Sequence, residues 1–218
     1  MITALPLEVK VWGEFACFTR PEMKVERVTY PVMTPSAARG MLEAIFWKPE
    51  FHWQVREIAV LRPIQHFSVL RNEVANKASV SSARGWEQKG GGYFADEDRQ
   101  QRHTLALRDV AYIIRADIVL ASHAQNEDIA KYRDQFRRRV TKGQCHHTPY
   151  LGCREFAASF GPPDGDDKPI DHSDDLGRML FDMDYARDKS GRGEPAFFHA
   201  QLESGVLRAP SELYQKEG

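Results

Sequence analysis

The chain has 218 residues, 42% of them apolar, with 30 basic and 31 acidic side chains and a formal net charge of −1. That length suits one domain or two small ones with a proper core. The near-neutral balance gives the whole molecule no case for a polyanion partner, so any nucleic-acid site has to come from local clustering. Three cysteines, Cys17, Cys145 and Cys153, are too few and too unevenly placed for a disulfide framework and fit a reducing cytoplasm. The opening MITALPLEVKVWGEF lacks a basic stretch followed by an apolar one, so it does not read as a signal peptide. The apolar run at 109–121 is broken by Arg115 and Asp117. The expectation is therefore a soluble cytoplasmic protein with no membrane partner.

Residues 5–19 alternate, with Leu7, Val9 and Val11 set against Glu8 and Lys10, and predict a strand. Thr34-Pro35-Ser36 opens a helix with Ser36 as N-cap. Met41, Leu42, Ile45 and Phe46 give its apolar face, and Pro49 stops it. Residues 52–63 and 65–74 predict two strands. Residues 78–98 carry three consecutive glycines, Gly90 to Gly92, and read as a long hairpin tip or a loop ordered on binding. Its Trp86 and Tyr93 would stack on bases in the second case. Residues 105–120 predict one or two strands. A second helix follows, with Asn126 as cap, Glu127 and Asp128 in the first turn, and Ile129, Tyr132, Phe136 and Val140 on one face. Gly143 ends it. Residues 150–160 predict another strand. The stretch GPPDGDDKPIDHSDD reads as an exposed loop, and short strands at 178–185 and 196–202, joined by KSGRGEP, suggest an appended sheet. The order is that of an α+β, ferredoxin-like (RRM-like) βαββαβ domain over 1–160, with a small C-terminal antiparallel sheet over 161–218.

The second helix holds Lys131, Arg133, Arg137, Arg138, Arg139 and Lys142. Consecutive helical positions diverge by about 100°, but Lys131, Arg138 and Lys142 can share one face. Such a face pairs with several phosphates, or is simply solvated. Gly143 would let backbone N–H groups approach a phosphate, or only caps the helix. Cys145, His146, His147 and Cys153 lack a CxxC spacing, and adjacent histidines rarely share one structural ion, so no metal or other cofactor is predicted. His147 titrates in the range needed for proton transfer, or bonds a loop carbonyl. Metal-free RNA cleavage needs a base for the 2′-hydroxyl, an acid for the leaving 5′-oxygen and a cation for the developing charge. Lys131, Tyr132 and the histidine pair are candidates.

Together SAARGMLEAIFWKP, VLRPIQ, the Lys131 helix and KGQCHHTPYLGCREF resemble the CRISPR-associated Dvulg-subtype family. These are the RNA-processing subunits of type I-C Cascade, in the RAMP superfamily. The resemblance runs from residue 5 to at least 185. It implies metal-independent cleavage of precursor CRISPR RNA at the base of the repeat hairpin, retention of the 5′ handle, and assembly with other Cascade subunits. Lys131 matches the family lysine. Phe46 stands where the family has tyrosine before Trp-Lys-Pro, and Tyr132 where it has histidine after the lysine. Phe46 cannot exchange a proton but can stack on a base or pack in the core. Tyr132 can replace a histidine chemically where its surroundings tune it, though it lies on the apolar face. The catalytic candidates are Lys131, Tyr132 and His147. The RNA-contact candidates are Phe46, Trp47, Lys48, Arg138, Lys142, Gly143 and Arg154. Trp47 also fits the core, and Arg154 also fits an ion pair with Glu155 or another acid. Non-specific double-stranded DNA binding through the basic helix is compatible with this reading. The competing functions are a non-catalytic Cascade subunit that caps the 5′ handle, and a generic ferredoxin-like protein whose basic helix is only solvated.

Overall fold

A computed structural model describes residues 5–76, 79–184 and 193–217. Its elements are β1 (Leu7–Ala16), β2 (Arg27–Val28), α1 (Pro35–Ile45), β3 (Phe51–Val60), β4 (His66–Val74) and α2 (Val80–Lys89). They continue with β5 (Arg99–Leu120), α3 (Ile129–Lys142), β6 (Ser159–Gly161), β7 (Asp174–Asp184), β8 (Glu194–Glu203) and β9 (Val206–Arg208). The strands make one sheet in the order β6-β1-β5-β3-β9-β8-β7, with β2 and β4 also on β5. All pairings are antiparallel except the short β2–β5 contact. The chain is therefore α+β. Among the described residues, no helix is long and apolar enough to cross a membrane.

The alternation in β1 works as expected: Leu7, Val9 and Val11 are buried, and Glu8 and Lys10 are not. The expected one or two strands at 105–120 form a single strand of 22 residues, because β5 serves two partners. Its later half lies between β1 and β3, and its earlier half extends alongside β4 as a long hairpin. The change of partner falls at Asp109, which adopts φ 53°, a left-handed conformation that aspartate tolerates better than most residues. Within 78–98 the chain is not only a loop: Ser79 accepts a hydrogen bond from the Ser82 N–H at 3.0 Å and starts α2. Trp86 and Tyr93 stack on each other, ring centres 6.2 Å apart.

Both core helices are capped by a residue other than the predicted one. Thr34, not Ser36, caps α1, accepting from the Ala37 N–H at 3.2 Å. This leaves Pro35 at the first helical position, where its missing N–H is no loss. Asp128, not Asn126, caps α3 by accepting from the Ala130 N–H at 2.9 Å, so Glu127 lies outside the helix. The helices pack on one face of the sheet around Trp53, which sits 4.8 Å from the Phe136 ring and donates to the Phe46 carbonyl at 2.9 Å.

Residues 150–160 form a compact loop rather than a strand. Gly152, at φ +83°, turns the chain, and only Ser159–Gly161 joins the sheet. The acidic stretch is exposed but tied down: Lys10 pairs with Asp164 at 3.1 Å and Asp167 at 2.5 Å, and the Ile170 N–H donates to the Val60 carbonyl at 2.9 Å. β7 and β8 are longer than predicted. Tyr185 and residues 189–192 of the predicted turn fall outside the described residues.

Candidate active site

Three segments meet where α1 and α3 end. Past Gly143 the chain doubles back, and the N–H groups of His146 and His147 donate to the Ala44 carbonyl at 2.8 and 3.2 Å. Arg139 reaches across from α3 to the Ile45 carbonyl at 2.9 Å, its guanidinium 5.3 Å from the Phe46 ring centre. Carbonyls at a helix C-terminus lack intrahelical donors and carry partial negative charge, so they attract these N–H groups and this cation. Trp47, Lys48, Lys142, His146 and His147 are all exposed at this corner. The two imidazoles lie edge to face, 5.7 Å apart.

Lys131 and Tyr132 lie at the other end of α3, about 18 Å from Gly143 along the axis at 1.5 Å per residue. Lys131 sits 4.7 Å over the Tyr132 ring and pairs with Glu127. Glu127 Oε2 is also 3.5 Å from the Tyr132 hydroxyl. The hydrogen bond with Glu127 raises the Lys131 pKa, and the same contact lowers that of Glu127. Tyr132 is only 4% exposed, its ring 5.3 Å from Phe51, which is 5.3 Å from Phe46. Phe46 is 1% exposed and offers no face to a base. The structure thus joins Lys131, Tyr132 and Phe46 through Phe51. It does not bring Lys131 and His147 into contact.

The basic residues sort by partner. Arg133 is buried and donates to the Leu5 carbonyl, Arg139 holds α1, and Arg137 pairs with Asp134 at 3.0 Å. Arg138 and Lys142 are exposed with no acidic partner among the described residues, and so is Arg154. Glu155, the expected partner of Arg154, instead pairs with Arg27 at 3.3 Å and with Arg71. At the glycine turn the backbone donors are already used. Gly143 takes φ +63°, its N–H goes to Val140 and Arg139, and the Gln144 N–H goes to the Arg139 carbonyl at 2.9 Å. Gly143 is a helix cap here, without a free N–H for phosphate. Among the described residues no three His, Cys, Asp or Glu side chains gather where they could hold a metal ion. Sequence reasoning passed over Glu127 and Arg139 as site residues. The four-residue spacing of Glu127 and Lys131 was the available signal for the first; Arg139 differs from its neighbours only in its tertiary contacts.

Residues 6–210 match the family described as CRISPR-associated protein (Cas_Cas5), of the Cas5d type. The chain belongs to the Cas5d family. It is 52% identical, over 96% of its length and 93% of the relative, to the CRISPR pre-crRNA endoribonuclease Cas5d of Thermus thermophilus. The corresponding protein of Mannheimia succiniciproducens is 44% identical over 94% of each chain. Among solved structures, a CRISPR-associated protein superposes with TM-score 0.68 at 21% identity, covering 95% of this chain and 92% of that one. The functionally uncharacterized SMU1763c of Streptococcus mutans superposes with TM-score 0.67 at 18% identity, covering 95% and 93%. These two establish a shared fold. In this Cas5d chain, Lys131 and the exposed histidines occupy opposite ends of one helix.

Proposed function

We propose that this chain is a metal-independent endoribonuclease of precursor CRISPR RNA. It cuts at the base of the repeat hairpin and stays on the 5′ handle within type I-C Cascade, alongside the other subunits. The observation that carries this is 52% identity across nearly the whole chain to a protein named a CRISPR pre-crRNA endoribonuclease. Arg138, Lys142 and Arg154, exposed and without acidic partners among the described residues, support it. The 2′-oxygen attacks the adjacent phosphorus, the bond to the 5′-oxygen breaks, and a 2′,3′-cyclic phosphate and a 5′-hydroxyl form. Lys131 supplies charge stabilisation at the reacting phosphate, as a cation must in the absence of a metal. Tyr132, whose hydroxyl meets Glu127 at the helix start, is the proton-transfer candidate beside Lys131; His147, at the other end of α3, cannot reach the same phosphate and joins the exposed residues along the RNA path. Trp47, Lys48, Arg138, Lys142 and Arg154 line the RNA path, and Phe46 and Gly143 shape it from beneath.

The sheet order β6-β1-β5-β3, with α1 between β1 and β3 and α3 between β5 and β6, supports a ferredoxin-like βαββαβ unit over 1–160. Residues 161–218 then form an appended antiparallel sheet, continuous with the first through β9 on β3. The protein acts in the cytoplasm, and the exposed face of α3 gives it sequence-independent affinity for double-stranded DNA.

The test is incubation with the repeat hairpin of its own locus in EDTA, beside a substrate that is 2′-deoxy at the cleavage nucleotide. A cut that survives EDTA and vanishes with the deoxy substrate is expected. A second reading is a non-catalytic subunit that caps the 5′ handle; buried Tyr132 and Phe46 favour it, since neither offers RNA an open proton donor. A hairpin that is retained but uncut would select it.

A further inference from the structure

We propose that Cys153 and Cys17 are a hydroperoxide-reactive pair that closes to a disulfide in the folded protein. The contact is built by the turn at Gly152. A β-carbon there would sit 2.1 Å from the Cys17 carbonyl oxygen, so only glycine allows the loop to press onto the end of β1. The Cys17 N–H donates to the Leu151 carbonyl at 3.0 Å, and the Cys153 sulfur lies 3.7 Å from the Cys17 carbonyl. The two cysteines pack together with Ala106 in one small buried cluster. The Cys153 sulfur already lies against the Cys17 backbone, so bond formation calls for the two side chains to turn toward each other.

The surroundings make the two sulfurs unequal. Arg27 donates to Cys153 Sγ at 3.3 Å. Arg27 is itself held by Glu73 at 3.4 Å and Glu155 at 3.3 Å, and Arg71 bridges the same two carboxylates from β4. Cys17 instead faces the Thr19 hydroxyl at 3.5 Å and the Leu105 carbonyl at 3.9 Å. The hydrogen bond from Cys17 and the Arg27 charge hold the Cys153 thiol below its ordinary range. The hydrogen bond to Cys153 and burial push the Cys17 thiol up. Cys153 is therefore the nucleophile and Cys17 the resolving thiol. Cys153 is 8% exposed and Cys17 fully buried, which restricts the oxidant to a small hydroperoxide.

The chemistry balances in two steps. The Cys153 thiolate attacks one peroxide oxygen, the O–O bond breaks, and the departing alkoxide or hydroxide takes a proton, leaving a sulfenic acid. The Cys17 sulfur then attacks the sulfenic sulfur, the S–O bond breaks, and hydroxide leaves with the Cys17 proton as water. The two thiols lose two electrons and the peroxide gains them. The bond pins the loop that runs on from His147 to β1, and a small thiol reductant restores it.

Exposed Cys145 is first replaced, as Cys145→Ser, to remove pairing between molecules. The variant is checked for folding by circular dichroism, treated with hydrogen peroxide, and alkylated in denaturant. The expected product is lighter by two hydrogens, has no free thiol, and yields a peptide pair joined through Cys17 and Cys153 that reductant separates. Adding Cys17→Ser leaves a sulfenic acid on Cys153 that dimedone captures; adding Cys153→Ser leaves Cys17 reduced. Two free thiols after peroxide treatment of the folded protein, or oxidation that begins at Cys17, overturns the proposal.

Discussion

Lys131 is the residue on which the cleavage reading turns, and its setting in the free protein is a restrained one. Glu127 neutralises it and holds it over the Tyr132 ring, so an incoming phosphate has to replace a carboxylate as the partner of the same ammonium. Lys131→Ala should lower the single-turnover cleavage rate by about 100-fold, the usual scale for losing one transition-state charge contact, with hairpin retention little changed. Cleavage at the wild-type rate would remove Lys131 from the chemistry. Glu127→Gln separates holding from repulsion. Removing a negative charge near the phosphate path should tighten hairpin binding by about twofold at low salt, an effect that fades as salt rises. The pH dependence has a definite sign. The folded Glu127 pKa lies below its ordinary value, so the Glu127–Lys131 pair stabilises the folded state above the unfolded carboxylate range. That contribution is lost as pH falls through the depressed value. In a comparison of thermal midpoints, wild type and Glu127→Gln should therefore converge at low pH and differ above about pH 5. The lysine was legible from the sequence, as was the placement of Tyr132 on the apolar face. The sequence left Phe46 between stacking on a base and packing in the core, because a phenylalanine just past a helix end can point inward or outward, and packing against Phe51 and Arg139 decides it.

At the level of elements, the basic helix is several things at once, and its run of arginines does not behave as a patch. Arg133 and Arg139 serve the fold, while Arg138 and Lys142 face solvent without an acid to neutralise them among the described residues. Arg138→Ala and Lys142→Ala should each weaken duplex DNA retention equally for all sequences and reduce the slope of log affinity against log salt by about one. Arg139→Ala should act differently. It removes a hydrogen bond to the Ile45 carbonyl and the contact over Phe46, and should cost about 1–2 kcal/mol in urea denaturation while leaving the salt slope nearly unchanged. Equal slope changes for Arg138 and Arg139 would refute this division. Periodicity located α1, α3, β1 and β3, each of which buries one face, while β4 alternates only between exposed and half-buried positions. The errors came where two residues share a capacity. Thr34 and Ser36 both cap, as do Asn126 and Asp128, and the choice follows from where Pro35 and the sheet contacts let the first turn start. The 150–160 segment misled for another reason. Leu151, Phe156 and Phe160 suggest a strand, but Leu151 is buried by a loop that Gly152 bends onto β1, a contact between residues far apart in the chain.

Across the whole molecule, the question is whether the C-terminal hairpin is an attachment or a part of the core. β9 extends the sheet from β3, and Arg39 on α1 clamps β7: its Nε and Nη2 meet the Asp182 carboxylate at 2.6 and 2.7 Å, and its Nη1 meets Glu43 at 2.7 Å. The Ser36 hydroxyl adds a 3.2 Å bond to the same carboxylate, and the Tyr30 hydroxyl accepts from the Leu180 N–H at 3.2 Å. These contacts run from α1, which carries part of the candidate site, and from Tyr30 just before it to the strand farthest along the sheet. Asp182→Ala leaves a mostly buried guanidinium with one carboxylate instead of two, and an unmet partner of this kind costs about 2–3 kcal/mol. Because the sheet is continuous, that loss should lower the urea midpoint of the whole protein, with one transition and an unchanged slope. Near-ultraviolet signals from Trp53, in the main sheet, and tyrosine or phenylalanine signals from the hairpin should then move together. If instead the hairpin signals melt first in Asp182→Ala while Trp53 keeps its native environment, residues 161–218 are a separately stable unit. The Arg39 clamp would then be a hinge between two bodies rather than a seam within one.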